Sequence, residues 1–143
     1  MIMKRLFYAL LLLTTLAACG GGGGGDSAPP PPPSVNATGT WFGSYNSSVF
    51  GAQNMTVNIQ QNGAVLTGTY SLSTGGLGSV SGTVSGDTAS FTIPVTTPGC
   101  SGSFSGTLII ATPQSGPATM SFSYSGSSTC DGQESGTGNL TKQ

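Results

Sequence analysis

From Val35 onward, apolar and hydroxyl-bearing residues alternate along the chain with a period of two. Val57 and Ile59, for example, share one parity, and Asn58 between them takes the other. A β-strand points successive side chains to opposite faces, so this pattern predicts strands with one apolar and one polar face. Helices are disfavoured because Gly, Ser and Thr dominate and no stretch follows a period of 3.6.

Turn signals separate the alternating runs. These signals are Asn62-Gly63, Gly75-Gly76, Gly86-Asp87, Pro98-Gly99 and Ser115-Gly116-Pro117. They delimit eight predicted strands at 38–46, 54–61, 64–73, 77–85, 88–95, 101–111, 118–126 and 134–142. The regular spacing predicts an all-β domain, a single small up-and-down antiparallel barrel of about eight strands.

A short repeat favours closure of the barrel. The triplet Thr/Ser-Gly-Thr recurs, and its glycines share the parity of their strands' apolar residues; they are Gly39, Gly68, Gly82, Gly106 and Gly136. A glycine on the inner face lets a strand bend and makes room where strands crowd. A composition rich in Gly, Ser and Thr also produces such triplets, and the shared parity is what favours the barrel.

The parity also predicts which side chains point inward. The set comprises Trp41, Tyr45, Met55, Val57, Ile59, Leu66, Tyr70, Leu72, Val80, Val84, Phe91, Ile93, Phe104, Leu108, Ile110, Met120, Phe122, Tyr124 and Leu140. Eight strands enclose an interior just wide enough for side chains to fill. Any small-molecule pocket is therefore expected at a barrel mouth. A transmembrane barrel, the alternative, needs longer strands and an outward apolar face without glycine interruptions.

Two cysteines lie beside neighbouring predicted strands. Cys100 precedes the sixth strand and Cys130 follows the seventh. In an antiparallel hairpin these places are adjacent, so we expect a disulfide. A metal or redox role is the alternative, but the chain has no His and no Cys-x-x-Cys.

Charge excludes several functions. The chain has 3 Lys plus Arg, 4 Asp plus Glu and no His. Without His there is no His-based triad or metal site, and with one Lys and no Arg after Arg5 no basic patch can bind nucleic acid. We expect no catalysis, no cofactor and no metal. A hydrolase using Asp131 and Glu134 remains conceivable if both carboxyls share one pocket.

Residues 1–18 have the layout of a secretory signal peptide. Lys4 and Arg5 precede an apolar stretch from Leu6 to Leu16, and small residues follow. The apolar part is too short for a bilayer-spanning helix, which needs about 20 residues.

Leu16-Ala17-Ala18-Cys19-Gly20 resembles a bacterial lipobox. The resemblance implies cleavage before Cys19 and its diacylglyceryl modification and acylation, hence a membrane partner through stable anchoring. Gly20 rather than Asp after the cysteine implies the outer membrane of the bacterial envelope. A chance Cys in an ordinary secretory signal is the alternative.

Residues 19–34 then form a predicted tether of six glycines and five prolines around Asp26. Glycine runs are flexible and proline runs extended, so the segment is expected to be disordered and to hold the barrel domain, 35–143, off the bilayer. A ligand for a proline-recognition groove is the alternative role.

Thr38-Gly39-Thr40-Trp41 and Leu66-Thr67-Gly68-Thr69-Tyr70 resemble the opening strands of small ligand-binding barrels of the avidin and lipocalin type. The resemblance covers roughly 35 residues. It implies an eight-stranded barrel with Tyr70 pointing inward, either as a core residue or as a ligand contact. Trp41 and Tyr45, which share the inward parity, are the other candidate ligand contacts. Gly43 and Leu72 stand where avidin-like proteins have polar ligand contacts, so biotin binding is not implied.

Together these features predict a monomeric, lipid-anchored binding or structural module of the envelope, whose outer hydroxyls could meet glycans or protein. One alternative is a barrel inhibitor of an envelope-targeting enzyme, which would present a projecting side chain from the loop at 127–134. A further alternative is a weak small-ligand binder at the barrel mouth.

The lipobox makes a direct prediction. Cells grown with labelled palmitate should incorporate the label into the protein, and Cys19→Ser should abolish incorporation because the thiol that carries the thioether lipid is gone. Cys100→Ser should keep the label. Unchanged labelling of Cys19→Ser would show that Cys19 is not the lipidated residue.

Overall fold

The alternating runs form eight antiparallel strands in the computed structural model, which describes residues 28–143. The strands are β1 (Gly39–Ser47), β2 (Gly51–Asn62), β3 (Val65–Leu72), β4 (Leu77–Ser85), β5 (Thr88–Pro94), β6 (Gly102–Ala111), β7 (Thr119–Ser128) and β8 (Gly132–Lys142). Each strand pairs with its neighbours in sequence, and β1 pairs with β8. The predicted closed up-and-down barrel is confirmed. The predicted signal peptide, Cys19 and the first part of the predicted tether lie outside the described residues.

Three strands extend further than the sequence pattern indicated. β2 begins at Gly51 rather than at 54, β7 ends at Ser128 rather than at 126, and β8 begins at Gly132 rather than at 134. The backbone ladder continues through these residues, for example at Asn46↔Ala52. Strand pairing uses only backbone N–H and C=O groups. A strand can therefore extend beyond the residues whose apolar and polar side chains alternate.

These extensions change the expected loop at 127–134. Ser127 and Ser128 belong to β7, and β8 starts at Gly132, so only residues 129–131 remain as a link. The Asp131 amide donates to Ser128 Oγ at 2.8 Å, which closes the turn. The predicted loop over 127–134 is therefore wrong in its extent, because strand pairing leaves only residues 129–131 between β7 and β8.

The barrel has two different ends. We call the end formed by links 48–50, 73–76, 95–101 and 129–131 the cup end, and the other, formed by links 63–64, 86–87 and 112–118, the closed end. Buried apolar side chains concentrate toward the closed end. They include Trp41, Ile59, Leu66, Val84, Ala89, Leu108, Ile110, Met120 and Leu140.

The N-terminal residues before β1 plug the closed end. Ala37 is fully buried, and its carbonyl accepts the Trp41 indole N–H at 2.8 Å. Gln61 holds the same segment, since its Oε1 accepts the Ala37 amide and its Nε2 donates to the Val35 carbonyl. Ala37 was absent from the predicted inward set, because it precedes the strands and carries no alternation signal.

The chain just before this plug also contacts the barrel. The Ser34 amide donates to the Gly86 carbonyl at 2.8 Å, and the Gly86 amide donates to the Pro32 carbonyl at 3.3 Å. Pro33 forms an isolated parallel bridge with Gly86. The last residues of the predicted tether thus lie along the β4–β5 link at the closed end.

Inward glycines let the strands come close together. A Cβ built on Gly106 would meet the Ser123 carbonyl oxygen of β7 and lie 2.7 Å from the Phe91 ring. Gly68 and Gly82 have equivalent backbone contacts on β2 and β5. The role predicted for the repeated glycines, making room on the inner face, agrees with these contacts.

The outer face carries mainly Ser, Thr and Asn, with Phe42, Val65 and Ile109 as exposed apolar side chains. Transmembrane barrels place apolar residues on this face. Within residues 28–143, no helix is long and apolar enough to cross a membrane.

The disulfide between Cys100 and Cys130 is present, with a Cα–Cα distance of 5.6 Å. It joins the β5–β6 link to the β7–β8 link at the cup end. Two hydrogen bonds reinforce the junction, from the Thr129 amide to the Ser101 carbonyl and from the Ser101 amide to Thr129 Oγ1.

Removal of this disulfide should destabilise the barrel. The bond spans 30 residues of sequence, and closing a loop of that length contributes about 3–4 kcal/mol in the chain-entropy model. We expect Cys100→Ser with Cys130→Ser to lower the free energy of unfolding by that amount, measured by urea denaturation. Adding reductant should lower the wild-type stability and leave the double variant unchanged. A double variant as stable as the wild type would contradict the prediction.

Candidate functional site

The cup end encloses a cavity of about 300 Å³, which we call the cup. Its walls are mostly aromatic and aliphatic, and they include Tyr45, Met55, Tyr70, Leu72, Phe91, Ile93, Phe104, Phe122 and Tyr124. A smaller void of about 60 Å³ adjoins it toward the closed end. Leu72 and Phe104 point inward as predicted, and both are half-buried and line the cavity. The barrel interior is thus packed at one end and hollow at the other.

Two exposed apolar side chains line the cup near its opening. Phe50, in the β1–β2 link, is 52% exposed, and Leu77, at the start of β4, is 74% exposed. Both line the cavity. The apolar surface of the cup therefore continues outward to the solvent at its opening.

Glycines on β8 explain how aromatic rings fit into the upper barrel. Gly136 pairs with Tyr124, and Gly138 pairs with Phe122. A Cβ on Gly136 would lie 2.5 Å from the Tyr124 ring, and one on Gly138 would meet the Phe122 ring. The two rings stack with centroids 6.4 Å apart, and the Phe104 ring meets Tyr124 edge-on at 6.1 Å. Small residues on one strand thereby make space for large rings on its neighbour.

One carboxylate, Glu134, faces this aromatic wall. It shares the inward parity of Gly136 and Gly138 on β8. Its Oε1 accepts the Tyr124 hydroxyl at 2.6 Å and the Ser47 hydroxyl at 2.7 Å. Ser47 is itself buried and fixed, because its Oγ accepts the Val49 and Phe50 amides. The carboxylate is thus positioned by three strands, β1, β7 and β8.

The tyrosines of the cup remain protonated well above neutral pH. Burial, and then the hydrogen bond to Glu134, raises the pKa of Tyr124 far above its ordinary value. Burial also raises the pKa of Tyr45 and Tyr70, and the negative charge of Glu134 adds to the rise in both. Each phenol therefore acts as a neutral hydroxyl, and Tyr124 serves as the hydrogen-bond donor that holds Glu134.

Asp131 also lines the cup, so the two acids that a paired-carboxyl hydrolase would use do share one cavity. Asp131 is exposed, and its Oδ2 accepts the Ser128 hydroxyl at 3.1 Å. Its backbone amide bonds the same hydroxyl. Asp131 therefore acts in the turn, whereas Glu134 lies inside the barrel.

The structure brings together two of the three predicted ligand contacts. Tyr45 and Tyr70 line the cup, and Tyr45 Oη donates to Gln53 Oε1 at 3.3 Å. Trp41 lies fully buried near the closed end, with its indole N–H bonded to Ala37. Lys142 Nζ lies 5.6 Å from the centroid of the Trp41 ring. Trp41 thus takes part in the plug of the closed end.

Sequence reasoning missed the cluster of Ser47, Tyr124 and Glu134 as a unit. Parity carried a signal for it, because Glu134 is an acid at an inward position of β8. The sequence carried no signal for the contact between Ser47, at the end of β1, and Glu134, which lies 87 positions further along the chain. Among residues 28–143 there is no group of three or more His, Cys, Asp or Glu that could hold a metal ion.

The raised tyrosine pKa values make stability depend on pH. A group whose folded-state pKa is raised stabilises the fold fully below its unfolded pKa, about 10 for tyrosine, and loses that contribution as pH rises through the folded-state value. We expect the free energy of unfolding to fall above about pH 10. Tyr124→Phe should make this fall shallower, measured by urea denaturation at stepped pH. An unchanged slope in Tyr124→Phe would contradict the role given to its hydroxyl.

Comparison of the chain with protein-family models, with curated proteins and with solved structures finds no match. What the structure itself shows is a small all-β barrel of eight antiparallel strands with one open end.

Proposed function

We propose that the protein is a non-catalytic, lipid-anchored binding module of the bacterial cell envelope, whose cup takes a small, largely apolar ligand. The observation that carries this proposal is the cup itself. Small-molecule sites are concave, mostly apolar, and contain a few placed polar groups. The cup has aromatic walls, a volume of about 300 Å³ and one carboxylate held by two hydroxyls.

The position of the chain's N-terminal part supports an anchored module. The described chain enters the barrel at the closed end, where Pro32 and Ser34 contact Gly86. The lipobox cysteine, Cys19, precedes this point, and Gly20 after it favours the outer membrane. An anchor attached on this side leaves the cup, at the opposite end, accessible from the aqueous phase.

Of the other interpretations, a barrel inhibitor has less support. The link that would have to present a projecting side chain is only three residues long, 129–131. Hydrolysis is the second candidate function, because Asp131 and Glu134 line one cavity. A hydrolase would release nitrophenol from a nitrophenyl glycoside and lose that activity in Glu134→Gln, whereas a binding module would show no turnover.

The binding proposal is tested with a neutral apolar fluorophore, N-phenyl-1-naphthylamine. We expect its fluorescence to rise on binding to the purified full chain. Phe50→Ala with Leu77→Ala should weaken binding about 30-fold, because each apolar side chain buried against a ligand contributes on the order of 1 kcal/mol and the two together about 2 kcal/mol.

The matched control is Phe42→Ala with Ile109→Ala. These two side chains are 47% and 51% exposed, but they lie on the outer face. This pair should bind the fluorophore as the wild type does. Equal loss in both double variants would indicate nonspecific surface binding, and absence of any fluorescence rise would overturn the proposed function.

A further inference from the structure

The negative charge of the cup has no cationic partner in the described part of the chain. Between residues 28 and 143 the sequence contains a single Lys or Arg, Lys142. Lys142 lies near the closed end, where its Nζ donates to the Asn36 carbonyl at 3.3 Å. Glu134 and Asp131 both line the cup at the other end. The carboxylates of Asp131 and Glu134 therefore make the cup negative, and no cationic side chain of residues 28–143 lies there to balance them.

The hydrogen bonds to Glu134 leave one of its oxygens available. Among the described residues, the donors Ser47 and Tyr124 both bond Oε1, and Oε2 receives no hydrogen bond. No fully buried side-chain oxygen or nitrogen within residues 28–143 lacks a partner, so Oε2 keeps contact with the open cavity. A fixed carboxylate with one free oxygen is an acceptor ready for a donor from outside the protein.

The surroundings of that oxygen favour an organic cation over the other classes of ligand. Aromatic rings attract cations through their quadrupole, and Tyr45, Tyr124 and Phe104 line the same cavity. An anion would be repelled by Glu134. A metal ion would need more ligands than the two acids of the cup supply, and the described residues contain no such cluster.

We propose that the cup selects ligands that carry an ammonium group on an apolar body, with the ammonium donating to Glu134 Oε2 and the body lying against the aromatic walls. This inference rests on the proposed function, because it names the ligand class of the same cavity. The rim fits such a ligand, since Phe50 and Leu77 extend the apolar surface toward the opening. A body longer than the cup is deep can thus remain in apolar contact.

The test uses three compounds with one body and different charge: 4-phenylbutylamine, 4-phenylbutan-1-ol and 4-phenylbutyrate. Each competes with N-phenyl-1-naphthylamine on the purified full chain at neutral pH. We expect the amine to bind about ten-fold more tightly than the alcohol, and the carboxylate to bind most weakly. The preference for the amine should shrink as salt is added, because the cup is open to solvent.

The variant Glu134→Gln tests whether the preference for the amine over the alcohol comes from Glu134. The glutamine keeps an oxygen that can accept the Ser47 and Tyr124 hydroxyls, so the barrel should remain folded. Unchanged binding of the alcohol to this variant would show that the cup is intact. Asp87→Asn is the matched control, since it removes the same charge from the β4–β5 link at the closed end. The amine preference should disappear in Glu134→Gln and persist in Asp87→Asn.

The outcomes separate this inference from the proposed function. Equal displacement by amine and alcohol in the wild type would overturn the cation preference and leave the apolar cup intact. A preference that survives Glu134→Gln would also overturn it, because the charge would then lie elsewhere. If the fluorophore does not bind at all, the proposed function itself fails.

Discussion

The structure depends on one constraint, the separation of apolar and hydroxyl-bearing side chains onto the two faces of a sheet that closes on itself. Closure pairs each of the eight described strands on both sides, so that β1 meets β8 and none of them is left as an edge strand. In this barrel the apolar face turns inward and the Ser and Thr face turns outward. Every other feature, from the plug to the cup, follows from how this inner face is filled.

The two ends of the barrel fill their interior by different means. At the closed end, bulky aliphatic side chains and Trp41 pack against a segment that comes from outside the sheet. At the cup end no segment of residues 28–143 enters the interior, and glycines on β8 leave space for the rings of Phe122 and Tyr124. These rings line the wall of the cavity, and the Phe122 ring meets the Phe91 ring of β5 edge-on at 6.3 Å. A hollow lined by aromatic side chains is what remains.

Glu134 gives this hollow a chemical character. Burying a carboxylate in an apolar barrel costs free energy unless the group is hydrogen-bonded. Here the neutral hydroxyls of Ser47 and Tyr124 donate hydrogen bonds to Glu134. The tyrosine hydroxyls stay protonated because burial and the nearby charge raise their pKa values. The cup therefore combines a fixed negative charge with neutral hydroxyl groups and apolar walls. The disulfide between Cys100 and Cys130 holds two of the links that form its rim.

The sequence by itself determined the fold class, the number of strands, most of the inner face and the cysteine pair. It could do so because alternation of period two and turn residues are local signals, which the backbone obeys wherever the strands lie. Only the tertiary structure decided that Ala37 plugs one end, that the other end stays hollow, and that Glu134 meets Ser47 and Tyr124. These outcomes depend on strand register and on how much volume the inward side chains occupy together. Parity states which way a side chain points, but it does not state what lies opposite.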